Sequence, residues 1–330
     1  MAAKQRNNVS NKDKGKAPVK APVVDAKSGA LPSLGYLALI AADPLQIKVH
    51  LNVYFDVQNS SYDVAGPGHT IVAYQSEVFD EPLTTEVTCG DYKPVVSGCT
   101  PTKCGRFLKD NVFNATVIQT MINIIEKGMV FGGGAGGPSI LDLASGAVSH
   151  GEQFISIFQA AKQNKQEIFN QKDRETFLHV KNTLKDTIED HFGTKNLYLT
   201  APTFFSRITD KPAKTANDIY WMPHIDRRTY GSFVYTSLVY LNDQGVDYEG
   251  GEFLFIERDD VTPGQQRTPT DSPDKYSQSI VQPRAGRMSF FTSGDENEHT
   301  VKMVTSGTRY AVTISFTCDE ASAIPDPTFE

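Results

Sequence analysis

Between residues 220 and 318 the chain is a succession of short apolar or alternating runs, each stopped by glycine, proline or an Asn/Asp pair. Phe233 to Asn242, Glu249 to Phe255, Pro283 to Phe291 and Gly307 to Ile314 are the clearest of them. Runs of that length, rich in Val, Tyr, Phe and Thr, read as β-strands. Strands at that density are expected to close into a barrel or a double-sheet jelly roll and not to form an α/β layer. The chain has 330 residues, 39% of them hydrophobic and 22% charged, which is ordinary for a globular protein and permits a sizeable core.

Chemistry enters with His224 and Asp226. Two apart in an alternating stretch, they are expected on one face of a strand, from which both can reach one ion. His299, in Glu298-His299-Thr300-Val301, can complete the set. Two imidazoles and one carboxylate form the facial triad that holds non-haem Fe(II) and leaves positions open for other ligands. An H-x-D pair alone also occurs in solvated turns, so the blocks around it carry the weight. In order they are H-x-D, Y-L-N, G-G-E-x-x-F, P-x-A-G-R-x-x-F, H-x-V and G-T-R-Y.

In that order of blocks the chain resembles the 2-oxoglutarate- and Fe(II)-dependent dioxygenases, in their prolyl 4-hydroxylase-like branch. The resemblance implies a mainly β fold with flanking helices, built on a double-stranded β-helix with the metal at its mouth. It implies Fe(II), 2-oxoglutarate and O2, release of succinate and CO2, and ascorbate as a reductant of oxidised iron. It implies that Arg309 pairs with the distal carboxylate of 2-oxoglutarate and that Tyr240 hydrogen-bonds the same group. A planar guanidinium that stays charged and binds a carboxylate through two parallel bonds suits that task. The implied substrate is a protein or peptide side chain, prolyl or lysyl. The alternative is a binding module that kept the barrel and lost turnover. From about Cys89 to Pro325 the chain is also similar to a single-pass membrane branch of the same family in vertebrates, through Gly98 to Arg106, Ser139 to Leu143, Pro202 to Ile208 and Ser289 to Gly294.

The remainder divides the chain. Residues 1–30 carry a net charge of +5 within a total of −7, and with almost no aromatic side chains they read as a disordered basic tail. The acidic balance of the rest argues against a nucleic-acid partner. Residues 31–85 form an apolar segment and linker. Leu31 to Ala42 is an apolar run through which membrane association would be made, but it is shorter than the about 20 residues that a spanning helix needs. Ile47 to Phe55 alternates like a strand.

Residues 86–115 hold Cys89, Cys99 and Cys104, and Cys318 follows the last core run. An even number of cysteines without zinc-ligand spacing reads as two disulfides, with three pairings open. Disulfides, with the sequons at Asn8, Asn59 and Asn114, point to a glycoprotein in the lumen of the secretory pathway, with the endoplasmic reticulum and a membrane anchor as one form of it.

In residues 116–199, Val117, Met121, Ile124, Ile125 and Gly128, and then Val180, Leu184, Ile188 and Phe192 before Gly193, repeat at helical spacing and predict supporting helices. Phe131 to Pro138 reads as a flexible loop with a lid role, without the residues of a phosphate loop. His150, His179 and His191 read as structural. Residues 200–318 form the oxygenase core, with a loop from about Glu257 to Ser279, and 319–330 a tail.

Overall fold

The computed structural model describes residues 84–93, 98–165, 167–214, 222–258 and 268–329. The basic tail, the apolar run, the alternation from Ile47, the sequons at Asn8 and Asn59, and the centre of the loop after Glu257 lie outside the described residues.

Two sheets face each other. The smaller has the order β11 (Ser277–Val281), β10 (Phe253–Glu257), β13 (His299–Val301), all antiparallel, and an isolated bridge between His224 and His299 extends it. At the heart of the larger sheet lie β12 (Met288–Thr292), β8 (Tyr235–Tyr240), β14 (Val304–Thr317) and β7 (Tyr198–Thr209), antiparallel throughout. This is the expected double-stranded β-helix.

Strand periodicity gives the large sheet two different faces. Leu238, Tyr240, Phe291 and Ala311 point inward and pack with Phe253, Phe255 and Val281 of the smaller sheet. Tyr235, Val239, Phe290, Val312 and Ile314 point outward onto helices. Every residue of β8 is therefore buried, which explains why its sequence is apolar on both sides of the alternation.

The helices are α1 (Ala115–Met129), α2 (Ile157–Asn164), α3 (Gln171–Phe192) and the short α4 (Asp226–Tyr230). In α1 the buried stripe contains Met121, Ile124, Ile125 and Gly128; in α3 it is Phe177, Val180, Leu184, Ile188 and Phe192. Asn114 and Asn170 cap the two starts by accepting from Val117 N and Asp173 N. Gly193 ends α3 in the left-handed region at φ 65°.

The structure adds strands and contacts that the sequence reading did not include. Residues 116–199 are not helical throughout: β4 (Pro138–Asp142), β5 (Ala147–Gly151) and β6 (Gln153–Ser156) extend the large sheet beyond β7. The glycine run is pinned and is not a free loop, because β3 (Gly133–Gly134) pairs with β5 and Gly137 O accepts from Thr209 N. At the other edge β1 (Thr84–Val87) and β2 (Cys104–Lys109) add two strands from the cysteine segment, with β2 against β12. The last residues are docked as well: Phe329 is buried against Phe169 and Phe177, and Ile324 N donates to Leu199 O. All four cysteines are paired, as Cys89–Cys104 and Cys99–Cys318. His191 packs on the Phe107 ring at 3.8 Å, consistent with a structural role.

Candidate active site

His224 and Asp226 reach the same point, but not along a strand. His224 is held by two backbone bonds to His299, N to O at 2.9 Å and back at 3.0 Å, and Asp226 already opens α4. The turn from bridge to helix aims both side chains at His299. Asp226 Oδ1 lies 3.6 Å from Nε2 of each histidine, and the three donor atoms sit within 4.8 Å of one another.

Each donor is oriented from behind. His299 Nδ1 faces Asn297 O at 2.8 Å and His224 Nδ1 faces Met222 O at 3.1 Å. A carbonyl only accepts, so both rings carry a proton on Nδ1 and turn Nε2 toward Asp226. Asp226 Oδ2 accepts from Thr236 Oγ1 at 2.7 Å, which is 2.8 Å from Ser293 Oγ, and Oδ1 is left for the cluster. His299 is enclosed by Phe253, Phe255 and Phe291. Burial above all, and then the neighbouring His224, bring its pKa down to about 4, so the ring is neutral at physiological pH. Two imidazoles and a carboxylate, with His224 half-exposed, are a donor set fit for Fe(II) with one side open.

Arg309 lines the same cavity as the three donors, with Phe204, Tyr230 and Thr236 also in its wall. Its Nε donates to Gly251 O at 3.0 Å. Gly251 has φ +70°, and a Cβ there would lie 2.9 Å from Arg309 Cδ, so the G-G-E block provides backbone room for the guanidinium. Tyr240 faces Arg309 with its ring 5.6 Å from Arg309 Cζ. Burial raises the Tyr240 hydroxyl to about 12 and that of Tyr248 further, which keeps both protonated as donors. Arg309 Nη2, Tyr240 Oη and Tyr248 Oη are buried without a well-formed hydrogen bond, although Ser289 lies near Tyr240 and Tyr248 near Arg309. A buried group left so is costly unless a ligand completes it, and a guanidinium with tyrosine hydroxyls near it fits a carboxylate.

Sequence reasoning missed Thr236 and Tyr248. Thr236 was within reach of it, since in the alternation of β8 it shares the inner face with Leu238 and Tyr240 while being polar. Tyr248 gave no signal, because β9 (Tyr248–Gly250) is a three-residue strand whose pairing with β14 depends on the tertiary fold.

The fold and the donor set define a jelly-roll oxygenase. The family model for the 2OG-Fe(II) oxygenase superfamily matches residues 213–317. The chain is 44% identical over 262 residues to 2-oxoglutarate and iron-dependent oxygenase domain-containing protein 3 of Rattus norvegicus, covering 78% of each chain. Over 85 residues, 26% of this chain and 10% of the other, it is 45% identical to prolyl 3-hydroxylase 2 of Homo sapiens. A solved prolyl hydroxylase from Trichoplax adhaerens, in complex with a hypoxia inducible factor peptide fragment, aligns at TM-score 0.40 and 13% identity, over 64% of this chain and 83% of that one. The chain belongs to the 2OG-Fe(II) oxygenase superfamily, whose members use Fe(II), 2-oxoglutarate and O2.

Proposed function

We propose that this chain hydroxylates a side chain of a protein or peptide, prolyl or lysyl, with His224, Asp226 and His299 as the metal ligands and Arg309 and Tyr240, assisted by Tyr248, as the seat of the 2-oxoglutarate carboxylate. The observation that carries this reading is that the three donors and Arg309 line one cavity. Fe(II) with 2-oxoglutarate and O2 supplies the oxidation of a C–H bond, with succinate and CO2 released. The residues of the chain supply geometry: Asn297 O, Met222 O and Thr236 orient the donors, and Phe253, Phe255 and Phe291 keep water from the buried side of His299. A silent binding module has no use for buried, unsatisfied donors on Arg309 and Tyr240, which cost stability in the absence of a ligand.

A protein substrate is supported by the similarity to prolyl 3-hydroxylase 2 and by the aromatic wall of the cavity at Phe204 and Tyr230. Ascorbate fits as the reductant of iron oxidised without substrate. A lumenal location is supported by the pairing of all four cysteines and by the exposed Asn114, whose sequon begins α1. Among the described residues no helix is long and apolar enough to cross a membrane. The test is incubation of the purified chain with Fe(II), 2-oxoglutarate, ascorbate and unfolded secretory polypeptides rich in proline or lysine. The expected product gains the mass of one oxygen on a prolyl or lysyl residue. Oxidation confined to small molecules contradicts the assignment of substrate class.

A further inference from the structure

Two of the three donors are braced by a segment far from them in sequence. Cys89 to Lys93 runs between the start of α4 and the turn at Asp295–Asn297 that leads to His299. Tyr92 is buried there. Its hydroxyl donates to Glu296 Oε1 at 2.5 Å and accepts from Gly294 N at 3.0 Å. Its carbonyl accepts from Arg227 Nη2 at 2.8 Å, and its ring lies 5.1 Å from Arg227 Cζ. Gly90 N donates to the second Glu296 oxygen at 2.9 Å, and a Cβ on Gly90 would meet that oxygen at 2.8 Å.

Arg227 directly follows Asp226, and Glu296 directly precedes Asn297, whose carbonyl orients His299. One residue therefore ties the segment that carries Asp226 to the turn that carries His299. Arg228 adds a second tie, bidentate to Asp295 at 2.7 and 2.8 Å. The brace is itself anchored by the disulfide from Cys89 to Cys104, the first residue of β2, whose neighbour Gly105 accepts from Asn297 Nδ2 at 3.2 Å.

We propose that Tyr92 is a positioning residue for the metal site, acting through Arg227 and Glu296, and that Cys89–Cys104 holds it in place. This rests on the metal assignment of His224, Asp226 and His299. A loss of the brace lets Asp226 and His299 drift apart while the inner core of the barrel, at Leu238, Tyr240, Phe253, Phe255 and Phe291, persists. Changes behind the ligands typically weaken metal binding by about 10–100-fold. The two disulfides separate this role from plain stability: Cys89–Cys104 closes 15 residues and Cys99–Cys318 closes 219. In the loop-entropy account the longer closure stabilises more.

The experiment is titration of Mn(II), followed by electron paramagnetic resonance, into the full chain and three variants, with thermal unfolding of each. Tyr92→Phe and the double variant Cys89→Ser/Cys104→Ser are expected to raise the Mn(II) dissociation constant by about tenfold or more. Cys99→Ser/Cys318→Ser is expected to lower the melting temperature most and to leave the dissociation constant unchanged. If Tyr92→Phe and Cys89→Ser/Cys104→Ser bind Mn(II) like the unaltered chain, or if affinity tracks melting temperature across all three variants, the brace is structural only and the proposal is overturned. Absence of Mn(II) binding by the unaltered, folded chain overturns the metal assignment itself, and that outcome is seen before any substitution is made.

Discussion

Arg309 is 2% exposed, and its placement shows how a single charged side chain can be kept inside a barrel. Its Nε is satisfied by Gly251 O, and its Nη2 waits beside two tyrosines. Lysine at this position keeps the charge but replaces the planar fork by a point charge on a flexible stem. Arg309→Lys is therefore expected to weaken 2-oxoglutarate binding by roughly tenfold or more, the loss of one charge-assisted hydrogen bond, while metal affinity stays near that of the unaltered chain. Calorimetric titration of 2-oxoglutarate into the metal-loaded variant checks it. At this scale the sequence was most legible where chemistry restricts the residue type: His224, Asp226, His299, Arg309 and Tyr240 all meet at or beside one cavity. It was least legible in backbone path, because whether His224 and Asp226 share a strand or straddle a bridge and a helix is decided by the long-range pairing of His224 with His299.

The helices behind the large sheet show the opposite balance. A four-residue repeat ending at a glycine needs no tertiary information, and Val180, Leu184, Ile188 and Phe192 lie on the buried face of α3 as their spacing requires. Leu184 is fully buried in the cluster between α3 and the outer face of the large sheet. Leu184→Ala is expected to destabilise the fold by about 2–5 kcal/mol, measured by urea unfolding, with little change in metal affinity, because the cavity it leaves is on the far side of the sheet from the site. The strands β4 to β6 escaped sequence reading for a physical reason. They are only four or five residues long, so their extended form is imposed by pairing, β4 with β7, β5 with β4 and β6 with β5, more than by local preference.

For the whole molecule, the cysteine count was legible and the pairing was not. Four cysteines imply two bridges, but Cys99 meets Cys318 only after the sheet has brought the segment before β2 beside the end of β14. Mass spectrometry of non-reduced protein from its native source is expected to find no free thiols and a glycan on Asn114; four free thiols and an unmodified Asn114 contradict a lumenal location. The central claim is that the cavity formed by His224, Asp226, His299 and Arg309 is the seat of 2-oxoglutarate turnover. It is tested most directly by succinate formed from 2-oxoglutarate by the purified chain with Fe(II), side by side with Asp226→Ala. The account predicts succinate from the unaltered chain and none above background from a folded Asp226→Ala variant. Equal succinate from both, or none from the unaltered chain in the presence of candidate polypeptides, contradicts it.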